Sequence, residues 1–135
     1  EKLYFTKGNQ NYLQTKDGTK RIHTNKYVKT SDVAIAFNTF RSIKEKKIFS
    51  KLSNFKFLFK ITGVDSLNFC LLTEGKIDLL IEKGLKPVDY LPLMKLIKNS
   101  GAVMTDWKGK NKYPNGDVIV ASNKIIYNYF YSKLF

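Results

Sequence analysis

Gly63 to Gly109 reads GVDSLNFCLLTEGKIDLLIEKGLKPVDYLPLMKLIKNSGAVMTDWKG, and its hydrophobic pattern changes period several times within one stretch. Asp65 to Glu74 places Leu67, Phe69, Cys70, Leu71 and Leu72 mostly along a helical stripe that stops at Gly75, which predicts a helix closed by a C′ glycine. Ile77 to Glu82 is almost continuously apolar, the pattern of a strand covered on both faces. Lys83-Gly84-Leu85-Lys86-Pro87 then makes a loop. Asp89 stands where a helix N-cap belongs, ahead of Leu91, Leu93, Met94, Leu96 and Ile97, and Ser100-Gly101 ends that helix. Ala102 to Thr105 reads as another strand.

Working outward, Phe55 to Ile61 alternates Phe55, Phe57, Phe59 and Ile61 against Lys56, Leu58 and Lys60, which predicts a strand ending at Thr62-Gly63. Arg41 to Leu52 suits an amphipathic helix, and Val33 to Phe37 a short buried strand. From Lys2 to Thr24, short alternating runs broken at Lys7-Gly8-Asn9 and Lys16-Asp17-Gly18 predict a small antiparallel meander. Downstream, Asp117 to Ala121 is a strand and Asn123 caps a last helix through Leu134. After the meander, strands and helices alternate. The fold class is therefore α/β: a layered sheet flanked by helices, with an N-terminal β-hairpin region, in a single domain over residues 1–135.

Composition narrows the function classes. The formal charge of +13 would suit an anionic partner, yet of 24 basic residues only Arg21 and Arg41 are arginines. Phosphate and base recognition favour arginine's bidentate fork, so the lysine excess reads as compositional bias and nucleic acid is disfavoured as a partner. A single cysteine, Cys70, can form neither an internal disulfide nor a cysteine metal cluster, and its place in an apolar stripe predicts a buried core thiol. No apolar run reaches the roughly 18 residues that span a bilayer, so no membrane partner is expected and the cytoplasm is the default location. Glu1 opens the chain without methionine and leads straight into the strand-like KLYFT, which suggests a fragment of something longer.

Two places could carry chemistry. Gly63-Val64-Asp65 lies where a strand ends and a helix begins, the position at which open α/β sheets bind ligands; a turn glycine and a capping aspartate would explain the same residues. Glu82 closes a buried strand and Asp89 opens the next helix, which sets two carboxylates at one sheet edge. Such hard oxygen donors suit Mg²⁺. A helix cap at Asp89 and a solvated Glu82 account for them equally well. His23, the only histidine, sits in a hairpin strand without partners for a triad or a zinc site.

The same residues carry a family resemblance. GVDSLNFC, EKGLKPVD, NSGA and VMTDWKG are similar to the motifs of the C-terminal half of the inositol monophosphatase superfamily. VDYLPLMKLI looks closer to its histidinol-phosphate phosphatase branch. KGNQNYLQ and SDVAIAFNTF resemble worn versions of the family's hairpin and following strand. The resemblance implies that Asp89 is a metal ligand, that Glu82 contacts the hydroxyl or amine portion of the substrate, and that Gly63, Val64 and Asp65 line the same pocket. Val88, Pro92 and Ala102 depart from the pattern. The N-terminal glutamate and the D-P-x-D-G-T motif that supply the family's other metal ligands are absent; Lys16-Asp17-Gly18-Thr19 is a chance DGT in a hairpin turn.

On this resemblance the chain holds half a site. It implies Mg²⁺-dependent hydrolysis of a small phosphate ester, inositol-phosphate or histidinol-phosphate in type, with no catalytic residue within this chain and with an N-terminal half as a needed partner. Homo-oligomers are the family's habit. The competing expectation is a catalytically inactive remnant serving as a basic binding or scaffold module.

Overall fold

The structure, a computed structural model, describes residues 1–38, 43–63 and 65–135. Strands β1 (Leu3–Lys7), β2 (Gln10–Thr15) and β3 (Gly18–Ile22) form the expected antiparallel meander in the order β1-β2-β3. Because successive side chains point to opposite faces, Asn11, Leu13 and Ile22 share the inward face, and all three are buried.

A second sheet of five strands forms the centre: β4 (Ala34–Phe37), β5 (Phe59–Thr62), β6 (Leu79–Glu82), β7 (Val103–Asp106) and β8 (Val118–Ala121), in the order β5-β4-β6-β8-β7. Helices α1 (Ile43–Ser53) and α5 (Lys124–Leu134) cover one face; α2 (Asp65–Thr73), α3 (Pro87–Tyr90) and α4 (Met94–Ser100) cover the other. Strand alternation deals the core to both sides. Ile35, Leu79, Ile81, Ile119 and Ala121 meet Leu52, Ile126 and Phe130, while Ala36, Leu80, Val118 and Val120 meet Phe69, Leu72 and Ile97. A strand buried on both faces must be nearly all apolar, which is why LLIE and VIVA carry no lysine in this lysine-rich chain. The α/β sheet flanked by helices is thus as expected.

Three local expectations change. The strand anticipated from Phe55 begins only at Phe59. Phe55 and Phe57 instead turn their rings onto Phe130, at centroid distances of 5.2 and 5.7 Å, so their alternation reflects aromatic packing in an irregular segment. The helix expected from Asp89 to Ser100 is broken into α3, a 3-10 turn at Leu91–Leu93, and α4. Pro92 has no N–H to continue the ladder, so the chain tightens there and restarts. Cys70 is half-buried rather than a core thiol; burial and the nearby Glu74 push its pKa up. The start of the Arg41 helix lies outside the described residues. Asn123 caps α5 as expected, accepting from the Ile126 amide at 3.0 Å. No helix among the described residues is long and apolar enough to cross a membrane.

The meander is fastened to the α2 side by polar contacts. Tyr4 donates to Glu74 at 2.9 Å, Asn11 donates to the Leu96 carbonyl at 2.7 Å, and Thr24 donates to the Ser100 carbonyl at 2.9 Å. Lys2, Lys20 and Lys76 surround the same Glu74 carboxylate at 3.6, 3.7 and 3.0 Å. Burial alone would raise Glu74, but hydrogen bonds from Lys76 and Tyr4 and the Lys76 and Lys2 charges outweigh it and hold the carboxyl below its ordinary value. A carboxylate with a depressed pKa stabilises the fold above its unfolded pKa, and that contribution is lost as pH falls through the folded one. Glu74→Gln is expected to cost about 1–2 kcal/mol at pH 7 and progressively less as pH falls below the ordinary carboxylate range, checked by urea midpoints at pH 7 and in acid.

Candidate functional site

Strand direction gathers the chemistry. β4 pairs in parallel with both β5 and β6, so these three strands end at one edge of the sheet, where Asn38, Gly63 and Glu82 follow or close them. β8 is antiparallel to β6 and to β7, so β7 also ends there, and Val118 pairs with both Glu82 and Asp106. This carboxyl edge is where open α/β sheets bind ligands.

Glu82 is the decisive side chain. On β6 it shares a face with Leu80, beneath α2, and it is fully buried, which sets aside the solvated alternative. Its Oε1 accepts a long hydrogen bond from Asn68 Nδ2 at 3.4 Å, while Oε2 is buried without a hydrogen-bond partner. Burial, then the negative charge of Asp65, push its pKa up to about 8; Asn68 and the Asn38 backbone amide oppose the shift only in part. At neutral pH the carboxyl is therefore largely protonated, ready to donate to an acceptor or to ionise beside a cation.

Gly63 leaves β5 with φ of +81°, and no atom lies within 4 Å of where a Cβ would stand. Glycine is needed there for conformation, not for space. Asp65 opens α2, half-buried, close enough to Glu82 for its charge to be felt. Val64 lies outside the described residues. The structure thus brings Gly63, Asp65 and Glu82 together at one edge.

Asp89 is placed differently from the expectation. Helix α3 begins at Pro87, so Asp89 is its third residue rather than its N-cap, and its Oδ2 reaches back to accept from the Lys86 amide at 2.7 Å. The Asp89 carbonyl accepts from Ser66 Oγ at 3.3 Å, which draws α3 to the start of α2 beside Asp65. Among the described residues, no three of His, Cys, Asp or Glu are grouped to hold a metal ion. Magnesium takes about six oxygens, and Asp89 already has one oxygen engaged by a backbone amide. The donors of this chain alone therefore do not fit a magnesium site.

Sequence reasoning missed the asparagines. Asn38 exchanges two hydrogen bonds with the Lys83 backbone, at 2.8 and 3.2 Å, and Asn68 is buried on the inner face of α2. The one signal for them was Asn68 itself, a polar residue inside the apolar stripe LNFCLL. Asp106 and Asp117 also reach the edge, but as fasteners. Asp106 Oδ1 accepts from the Lys108 and Lys110 amides at 2.9 and 2.7 Å, and Asp117 Oδ1 from the Gly84 amide at 3.1 Å. With Trp107, Lys108, Pro114 and Asn115 they border a hollow of about 160 Å³. Clefts of about 360 and 450 Å³ lie instead beside the meander, at Gln14–Lys16 and around Lys20 and Glu74, away from these residues.

Comparison with known proteins shows the family and the fold. The family model described as "Inositol monophosphatase family" matches residues 1–134. The chain is 39% identical over 69 residues to the bifunctional phosphatase IMPL2, chloroplastic, of Arabidopsis thaliana, a match covering 51% of this chain and 20% of that protein. It is 30% identical over 107 residues to the Nus factor SuhB of Vibrio cholerae, covering 76% of this chain and 40% of that protein. Among solved structures, an inositol monophosphatase from Zymomonas mobilis superposes with a TM-score of 0.75 at 26% identity, over 93% of this chain and 53% of that one. The SuhB protein of Bartonella henselae matches the fold with a TM-score of 0.75 at 16% identity, over 93% of this chain and 52% of that one. The chain spans about half the length of these structures and less than half of the two sequence relatives. With the family model matched over residues 1–134, the chain belongs to the inositol monophosphatase family.

Proposed function

We propose that this chain is the substrate-facing part of a phosphomonoesterase acting on a small phosphate ester of the inositol-phosphate or histidinol-phosphate kind. In this reading Gly63, Val64, Asp65 and Glu82 line the alcohol portion of the substrate. Asp89 contributes one ligand to a Mg²⁺ site whose remaining carboxylates come from an N-terminal half outside these 135 residues. The observation that carries it is Glu82: a buried carboxyl with one unpartnered oxygen at the ligand-binding edge of the sheet, beside Asp65. An unsatisfied buried oxygen is costly and calls for a partner, whether a ligand, an ion or a water.

The chain's own contribution is binding and orientation. Glu82 donates or accepts at the alcohol, and the Gly63 turn and Asp65 set the wall of the site. The test is Mg²⁺-dependent phosphate release by the 135 residues alone and by the same chain joined to a family N-terminal half. The chain alone is expected to release nothing above background, and the joined protein to turn over. Asp89→Asn in the joined protein is expected to lower turnover by roughly 100-fold or more, since even supporting residues of metal sites cost 10–100-fold. Unchanged turnover after Asp89→Asn, or robust turnover by the isolated chain, overturns the assignment.

A second reading, a basic binding module without hydrolysis, is favoured by the net charge of +13 and by likeness to a relative named as a Nus factor. It requires nucleic-acid affinity that falls steeply with salt and ignores Mg²⁺.

A further inference from the structure

Asn68 lies within α2, 1% exposed, in a helix whose other buried residues include Phe69 and Leu72. A buried amide is tolerated only when its hydrogen bonds are met. Its Nδ2 carries two protons and has two acceptors: the Gly63 carbonyl at 2.8 Å and Glu82 Oε1 at 3.4 Å. Those acceptors sit at the ends of β5 and β6, which are not neighbours, because β4 runs between them. Asn68 therefore bridges the carboxyl edge over the end of β4, and Asn38 fastens that middle strand to Lys83 below the bridge.

The bridge has a direction. With Oε1 held, rotation of the Glu82 carboxyl is restricted, and the oxygen left over is Oε2, buried and without a hydrogen-bond partner. An amide needed only to close the Gly63 turn would require its first contact and not its second. The geometry points to Asn68 as a positioning residue: it holds Glu82 by Oε1, ties the carboxyl to the Gly63 turn, and leaves Oε2 as the oxygen without a hydrogen-bond partner. This rests on the reading that Glu82 faces the substrate. Preorganisation of this kind lowers the ordering that binding would otherwise require.

The test begins on the full chain with carboxyl-labelled glutamate, Glu82→Gln assigning the Glu82 signal. Asn68→Leu keeps roughly the volume and removes the donor. The Glu82 titration midpoint is expected to rise, because a hydrogen bond favouring the charged form is lost, and its side-chain couplings to average over rotamers. Asn68→Ser, which keeps a shorter donor, is expected to fall between the two and serves if Asn68→Leu does not fold.

In the chain joined to an N-terminal half, Asn68→Leu is expected to raise KM about tenfold with kcat little changed for esters of polyols or amino alcohols. A plain alkyl phosphate should be indifferent. A folded variant whose Glu82 midpoint and couplings stay at the wild-type values overturns the inference, whatever the activity. A shifted Glu82 in a joined protein that never hydrolyses phosphate esters leaves Asn68 holding Glu82 but removes the substrate role, and that failure belongs to the phosphatase reading.

Discussion

Glu82→Gln is expected to stabilise the chain at pH 9 by several kcal/mol and to change nothing at pH 4. The carboxyl is buried and its pKa is raised from 4.5 to about 8, so between those values the folded state binds a proton that the unfolded state has released. Stability then falls as pH rises, and the loss is complete only above the folded value. At about 1.4 kcal/mol per unit, the full effect is on the order of 4–5 kcal/mol. Glutamine has no proton to lose and keeps an amide oxygen for Asn68. Asp78, another buried acid with a raised pKa, tilts both proteins alike and cancels in the difference. Urea unfolding from pH 4 to pH 9 should give two curves that meet in acid and diverge in base. Parallel curves would mean that Glu82 is far better solvated than its burial implies.

Gly116→Ala is expected to cost roughly 2–5 kcal/mol, through backbone against backbone. A Cβ on Gly116 would stand 1.9 Å from the Leu85 carbonyl oxygen and 2.3 Å from the Leu85 nitrogen, and φ there is +66°. The left-handed conformation costs about 1–2 kcal/mol for a residue with a side chain, and overpacking about 1–3 more. No side chain can swing aside, because the Leu85 amide is itself bonded to the Gly116 carbonyl at 3.1 Å. The consequence reaches the site: Lys83 to Lys86 lead from Glu82 into α3, so parting Leu85 from Gly116 displaces Asp89 relative to Glu82. Gly63→Ala is the control, since φ is +81° but the space is open and the cost should stay near the conformational term alone. Equal falls in melting temperature for the two variants would refute the packing argument.

The fold was legible where one force dominated. Ile77 to Glu82 and Asp117 to Ala121 announced buried strands because nothing but apolar burial explains runs without lysine in such a chain. Gly75 and Asn123 marked helix ends because left-handed geometry and a free amide each select few residue types. Phe55 and Phe57 misled because alternation along the chain and ring packing onto Phe130 leave the same trace. Pro92 was visible, but whether the chain would tolerate it within one helix or break around it depends on what packs beside it.

At the site, Glu82 and Asp89 could be placed at one edge, yet the sequence could not tell a buried Glu82 from a solvated one. Burial there depends on Asn68 and α2 closing over the strand end, which is a tertiary event. The same holds for Asp89, whose carboxylate turns back to Lys86 because α3 starts three residues earlier than its capping pattern suggested.

The placing of β8 between β6 and β7 bears on how the chain is made. During synthesis β6 and β7 emerge first and have no partner in each other, for the strand that joins them is written last. Until Val118 to Ala121 is available, β6 keeps an open edge and β7 floats, and until α5 follows, one face of the sheet lacks Ile126, Phe130 and Leu134. Vectorial folding of this α/β layer is therefore deferred to its final strand and helix. A ribosome paused before Val118 would hold a nascent chain with adhesive strand edges, the state that chaperones exist to shield.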